Sequence, residues 1–322
     1  MERNYIILTY KLPDQMARLI RRLSDGDQTY FYIHIDRNFD MEPFEKACRG
    51  IPNVFFLSGK ARVHSYWGDF STAQAALNAM RKIIEDRRGG MIVLLSGQDY
   101  PIRGNREINA FFEKHPNSDF TFNFSLPSPK RWAYSRGGIN RLEHYHVSLH
   151  RPGHGVQQVE IIPWCFSARN LKSCLYLLLF RPDRAWRIPF FLFHRRSIPD
   201  VLTYYGSETW WAMRVSSAAA VLDFLDHHPK VVSFFREVSV PEEIFFASIL
   251  KSLPGIKDQV INSSLRMICW DDEKSSSPAL FNCSHKNMFL EARKQEDMLF
   301  ARKFDQTADS GILDWLDEEC AD

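Results

Sequence analysis

Several side chains are of the right type, in the right place, to do chemistry. Asp36, Trp67 and the loop Ser96-Gly97-Gln98-Asp99 each fall at or soon after the end of an apolar run. In open α/β sheets such ends are where ligands bind. Glu242 and Glu243 follow Pro241 and open a helical stretch, where the helix dipole favours anions. A structural first-turn carboxylate is the plain alternative for one of the two. Arg302 and Lys303 form a basic pair behind the last predicted helix, and on spacing alone such a pair faces solvent. Asp25-Gly26-Asp27 has a D-x-D pattern but precedes a strand, which makes it a turn. Asp271-Asp272-Glu273 follows a strand and reads either as a cation site or as a solvated turn. No G-x-G-x-x-G, P-loop, G-x-S-x-G or H-E-x-x-H is present, so dinucleotide, P-loop, serine-hydrolase and zincin readings are set aside.

The elements that must hold these residues follow from hydrophobic spacing. Tyr5–Thr9, Tyr30–Ile35, Val54–Leu57, Met91–Leu95 and Phe120–Phe124 are short apolar runs that read as strands. Between them, Pro13–Leu23 and Ser71–Ile84 repeat apolar residues at helical spacing, and Asn105 is placed to cap a helix at Ile108–Phe112. Alternating β and α with continuously apolar strands predicts a mostly parallel sheet flanked by helices. Further on, Val215–Leu225, Glu242–Leu250 and Lys286–Phe300 read as helices and Leu265–Trp270 as a strand. Residues 126–200 are rich in Pro, Arg, His and Trp without regular periodicity, and the acidic stretch after Asp305 is expected to fray.

With 322 residues, the chain holds two lobes or one large α/β domain at about 150 residues per domain. Apolar residues at 45% and charged residues at 25% exclude a disordered chain, a collagen-like fibre and a coiled coil. Lys+Arg 41 against Asp+Glu 39 gives no general affinity for nucleic acid. The six cysteines form no C-x-x-C pair and have no finger-spaced histidines, so reduced thiols are expected.

Seven segments in order carry a family pattern: YIHIDRN (32–38), SYWGDFSTAQAALNAM (65–80), LLSGQDYPIRGNREINAFF (94–112), GSETWW (206–211), VPEEIFFASIL (240–250), RMICW (266–270) and LFARKFD (299–305). Together they resemble the core-2/I-branching β-1,6-N-acetylglucosaminyltransferases and peptide O-xylosyltransferases, from about Tyr5 to Asp305. The resemblance implies a GT-A-type, Rossmann-like fold. Residues 1–125 are then the nucleotide-sugar half, 126–305 the acceptor and catalytic half of the same domain, and 306–322 an acidic tail. It also implies a UDP-sugar donor, inversion at the anomeric carbon, and no catalytic metal or other cofactor. The single carboxylate of the Ser96–Asp99 loop agrees with the last point, since one acid is a poor grip for Mn²⁺ or Mg²⁺.

Carried over position by position, the resemblance makes Glu243 the general base, with Glu242 in the place of the family's Asp. It puts Lys303, with Arg302, on the diphosphate, and Asp36 at the uracil end. Trp67 is either a ring near the base or a core residue. Asp99 falls in the donor loop. Trp270, and with it Arg131 and Trp132, belong to the acceptor side. Two departures stand out. GSETWW has about one residue more than the usual Gly-Ser-x-Trp, and Asp272 replaces an aromatic of the mammalian branching enzymes, which speaks against a mucin-type acceptor. The expected reaction moves GlcNAc from UDP-GlcNAc to a hydroxyl of a glycan or lipid-linked glycan. UDP-xylose is the alternative donor, and a non-catalytic sugar- or nucleotide-binding module is the alternative class.

Only four residues precede the first predicted strand, so the expected setting is cytoplasmic, of bacterial type, on a surface-polysaccharide precursor. A trimmed Golgi enzyme is the other possibility. Residues 174–196 hold two bulky apolar clusters, Leu175–Phe180 and Ile188–Phe193, interleaved with five arginines. Pro182 and Pro189 forbid one long helix. The segment is either second-lobe core with arginines at its rim, or a peripheral contact with the membrane.

Overall fold

The computed structural model describes residues 1–150, 156–270 and 277–321. Its strands are β1 (Arg3–Thr9), β2 (Thr29–Ile35), β3 (Val54–Phe56), β4 (Met91–Ser96), β5 (Asp99–Pro101), β6 (Asp119–Ser125), β7 (Tyr145–His150), β8 (Val156–Ile161), β9 (Tyr205–Arg214), β10 (Val260–Ile261), β11 (Arg266–Ile268) and β12 (Phe300–Arg302). Seven of them form one sheet in the order β10-β6-β9-β4-β1-β2-β3. All its pairings are parallel except those of β9, which runs antiparallel to both β4 and β6. This is the expected α/β architecture, and because β9 and β10 lie in the same sheet as β1 to β4, residues before and after 125 share one framework.

The apolar runs are continuous because both faces of the sheet are covered. Tyr5 and Ile7, Phe31 and Ile33, Val93 and Leu95 point to one core. Ile6, Tyr32, Ile92 and Leu94, one residue out of phase, point to the other. Helices Pro13–Leu23, Asn105–Lys114 and Gly311–Glu319 pack on the first face. Helices Ser71–Glu85, Val215–His227 and Phe245–Ser252 pack on the second. A small sheet, β11-β12-β5, closes the site end, and the β7–β8 hairpin forms a separate pair with its own core.

Several expectations are corrected. The stretch after Asp305 does not fray: helix Gly311–Glu319 buries Ile312, Leu313 and Leu316, and Asp317 accepts hydrogen bonds from Tyr100 (2.6 Å) and Arg18 (2.7 Å). Lys286–Phe300 is not one helix. It ends at Ala292, and Phe300–Arg302 is drawn into pairing with β11 and β5. Pro241–Glu243 is a 3₁₀ turn rather than the first turn of helix Phe245–Ser252. Asn105 begins its helix instead of capping it, and its amide donates to the Arg22 carbonyl (3.0 Å).

Residues 174–196 satisfy neither reading alone. Helices Ala168–Phe180, Pro182–Ala185 and Ile188–Phe193 bury Cys174, Leu177 and Phe191 against the β7–β8 hairpin, while Leu175, Leu178, Leu179, Trp186, Phe190 and Phe193 are exposed. All six cysteines are free.

Candidate active site

The parallel strands β1, β2 and β4 bring their carboxyl ends to one end of the sheet, where a fold of this class has its cleft. At the end of β2, Asp36 is buried, and its Oδ1 accepts the backbone N–H groups of Asn38 (2.9 Å) and Ser65 (3.0 Å). Burial pushes the preceding His34 down to about 4, so the ring is neutral and its Nε2 accepts the Val63 N–H (3.0 Å). These bonds pin the loop that carries Trp67. Trp67 is 71% exposed, so the core reading of this residue is ruled out. The next carbonyl, Gly68, accepts the N–H of Val240 (2.9 Å), which ties the Trp67 loop to the Pro241–Glu243 turn.

At the end of β4 the chain must cross over β1. A Cβ on Gly97 would lie 2.4 Å from Thr9 Oγ1, so only glycine allows this approach. The crossing delivers Asp99 to β5, opposite Arg302 on β12. Asp99 is fully buried, and its Oδ2 accepts the Ser96 N–H (2.6 Å). Arg266 (3.7 Å) and Arg302 (3.4 Å) pair with its two oxygens. Both guanidiniums also lie over the ring of Trp210, each at 4.7 Å. Asp99 is therefore an anchor that holds two cations rather than an exposed ligand. Next to Arg302, the Lys303 amine donates to Ser277 Oγ (3.2 Å). Burial, then the charges of Arg302 and Lys11, hold it below the usual lysine range. Lys11 is itself bound to Asp305 (2.7 Å). Positive charge is thus concentrated at the mouth of the cleft.

The other wall carries the acids. Glu243 Oε2 accepts a 2.6 Å charge-assisted hydrogen bond from Arg141, whose guanidinium lies 3.9 Å over the Trp132 ring. Trp132 in turn packs edge-on to Phe124 (5.0 Å). Glu242 points the other way, into the protein. Burial chiefly, then the charge of Glu243, pushes it up to about 8, and its Oε2 has no hydrogen-bond partner among the described residues. Of the pair, Glu242 is the structural acid and Glu243 the accessible one.

Glu208 was not foreseen. Between the pairs Thr121↔Trp211 and Asn123↔Ser207, β9 runs four residues to the two of β6. This bulge absorbs the long Gly206–Trp211 motif and re-aims side chains, as bulges beside active sites do. It brings the Glu208 carboxyl among Ser264, Arg266, Glu243 and Arg131, where burial first, and Glu243 among the charges, hold it above the usual range. Arg131 rests on the rings of Phe122 (5.0 Å) and Phe124 (5.9 Å).

The structure therefore gathers Glu243, Trp132, Arg131, Asp99, Arg302 and Lys303 along one connected line, with Asp36 and Trp67 joined to it through the Gly68–Val240 bond. Trp270 lies just past β11 and is exposed. Asp271, Asp272 and Glu273 lie outside the described residues. Arg141, Glu208, Trp210 and Arg266 complete the cleft. Glu208, Trp210 and Arg266 sit inside quoted motifs, but Arg141 has no sequence signal.

Comparison with known proteins gives the family. Core-2/I-branching enzymes match residues 4–293. The chain belongs to the Core-2/I-branching enzyme family. Xylosyltransferase 2 of Homo sapiens is 23% identical over 326 residues, covering 94% of this chain and 32% of the relative. Xylosyltransferase 1 of Rattus norvegicus is 23% identical over 323 residues, covering 94% and 33%. This Core-2/I-branching chain thus spans about a third of the length of those relatives. A mutant UDP-glucose pyrophosphorylase of Leishmania major superposes at a TM-score of 0.27 with 7% identity, over 71% of this chain and 52% of that one. That likeness is too slight to carry an argument.

Proposed function

We propose that the chain is an inverting, metal-independent glycosyltransferase. It moves a sugar, GlcNAc from UDP-GlcNAc in the first reading, to a hydroxyl of a glycan acceptor. A bacterial surface-polysaccharide precursor, lipid-linked or free, is the acceptor we favour. The observation that supports this is the unbroken line of charge from Glu243 through Glu208, Arg266 and Asp99 to Arg302 and Lys303.

The acceptor oxygen attacks the anomeric carbon while its proton passes to Glu243. The bond from that carbon to the diphosphate oxygen breaks on the opposite face, and UDP leaves with the electron pair. Its growing negative charge is met by Arg302 and Lys303. Arg141 fixes the carboxylate of Glu243 against Trp132 and keeps the oxygen that takes the proton in place. Asp99 is already neutralised by two guanidiniums, so fixed cations stand where a metal-using enzyme of this fold class would put a carboxylate-bound ion. Asp36 and Trp67 take the uridine end, and Trp270, Arg131 and Trp132 the acceptor.

UDP-xylose is the second donor, favoured by the names of the relatives. The deciding experiment is UDP release and transfer with a panel of UDP-sugars in excess EDTA, with the anomeric configuration of the product read by NMR. Transfer with inversion and full rate under EDTA is expected. Activity lost to EDTA and restored by Mn²⁺ rules out the metal-free reading. UDP binding without release from any donor leaves a binding module.

A further inference from the structure

The face formed around helix Ala168–Phe180 has no role in the cleft. The helix is apolar on two sides at once. Cys174 and Leu177 face the β7–β8 hairpin, and Leu171, Leu175 and Leu178 form an outward stripe at i, i+4 and i+7. Just before the helix, Trp164 and Phe166 each touch Phe193 (5.6 and 5.9 Å), yet all three rings stay exposed. Phe166 is 77% exposed, Leu171 74% and Trp186 76%. A monomer seldom leaves so large a run of Leu and aromatic surface uncovered without a use for it.

Charge decides the partner. Residues 163–199 contain seven Lys or Arg and one acid, Asp183, a net +6 in a chain whose formal net charge is +2. Arg181 binds Asp183 through two 2.8 Å bonds, Arg169 and Arg187 pair with Glu160 (2.6 Å) and Glu237 outside the stretch, and Arg196 donates to backbone carbonyls, which leaves Lys172 and Arg195 as the exposed cations of this face. Lys172 and Arg195 are exposed, one on the helix that carries the apolar stripe and the other just past helix Ile188–Phe193. A protein groove would need a matching shape, whereas leucines and indoles ringed by cations fit a flat apolar layer under anionic head groups. Pro182 and Pro189 open two short helices, and no described helix is long and apolar enough to cross a membrane.

We propose that this face docks on an anionic lipid bilayer, with Phe166, Leu171, Leu175, Leu178 and Trp186 entering the acyl boundary and Lys172 and Arg195 at the head groups. The lobe is tied to the cleft. Gln158 on β8 binds the Gly68 carbonyl and accepts from Ser239 Oγ (2.8 Å), two residues before the Pro241–Glu243 turn. Docking here would hold the catalytic turn at a fixed place relative to the membrane, but it does not depend on the choice of donor or acceptor.

The test is sedimentation with vesicles of phosphatidylcholine alone and of phosphatidylcholine with phosphatidylglycerol, at low and high salt. Pelleting is expected with the anionic vesicles at low salt, weakening as salt rises. Leu171→Ser with Leu178→Ser should abolish it, and Lys172→Glu with Arg195→Glu should weaken it by about tenfold or more. These side chains are exposed, so both variants should keep the parent's circular dichroism, and Glu243→Gln should pellet like the parent. A chain that stays in the supernatant at low salt overturns the proposal. So does pelleting that neither double variant alters. A concentration-dependent dimer that the leucine variant splits, with no vesicle binding, would give the face to a second copy instead.

Discussion

Glu242 and Glu243 are neighbours in sequence with opposite environments, and the contrast sets their expected roles. Glu243 has an arginine partner and an open side, whereas Glu242 is buried and held protonated to about pH 8. Glu243→Gln is expected to lower transfer by roughly 10²–10⁴-fold with UDP-sugar affinity nearly kept. Transfer at the parent rate would remove Glu243 as the base. Arg141→Met leaves the carboxylate but frees it from Trp132. Turnover should then fall by about ten- to a hundredfold with little change in donor KM, because a misplaced base costs rate rather than binding. An equal rise in donor KM would instead put Arg141 on the nucleotide. Lys303→Ala differs again: it should weaken UDP binding and slow turnover together, since the ammonium meets charge that is present in the donor and grows as the bond breaks.

The elements were legible wherever local pattern and tertiary role agreed. β1, β2 and β4 are apolar on both faces, and helix Pro13–Leu23 has the bounds its spacing predicts. Reading failed where a partner distant in sequence decides the structure. Phe300–Arg302 continues a helical pattern, but the open edges of β5 and β11 claim it as a strand. The bulge in β9 shows in sequence only as one residue too many, and its use, to carry Glu208 into the cleft, depends on β6 across the sheet. Arg141 was invisible because only folding brings it to Glu243, 102 residues away. The last helix reads as acidic, yet three apolar residues on one side of it complete the first core. Leu316→Ala should therefore cost about 2–5 kcal/mol, read as a lowered urea midpoint with unchanged slope. A change within a few tenths of a kcal/mol would restore the frayed reading.

At the scale of the whole molecule, buried titratable groups on the two sides of the Trp67 loop set opposing pH limits. His34 and His146 are pushed by burial from 6.5 to about 4. The unfolded chain takes protons that the folded one refuses, so this contribution is present above about 6.5 and is lost as pH falls through 4. Glu242 works in the other direction. Burial raises it from 4.5 to about 8, so the folded chain keeps a proton that the unfolded chain gives up. Its contribution is whole below 4.5 and is lost as pH rises through 8. Stability should peak between these limits and decline on the alkaline side. Glu242→Gln cannot ionise, so its advantage over the parent should grow steadily from about pH 5.5 to about pH 8.5, by up to several kcal/mol. Urea midpoints of the two proteins at matched pH isolate this one group, since both histidines are common to them. Parallel curves across that range would mean that Glu242 ionises normally, and the acid buried behind the base would then have to be neutralised by something other than its own proton.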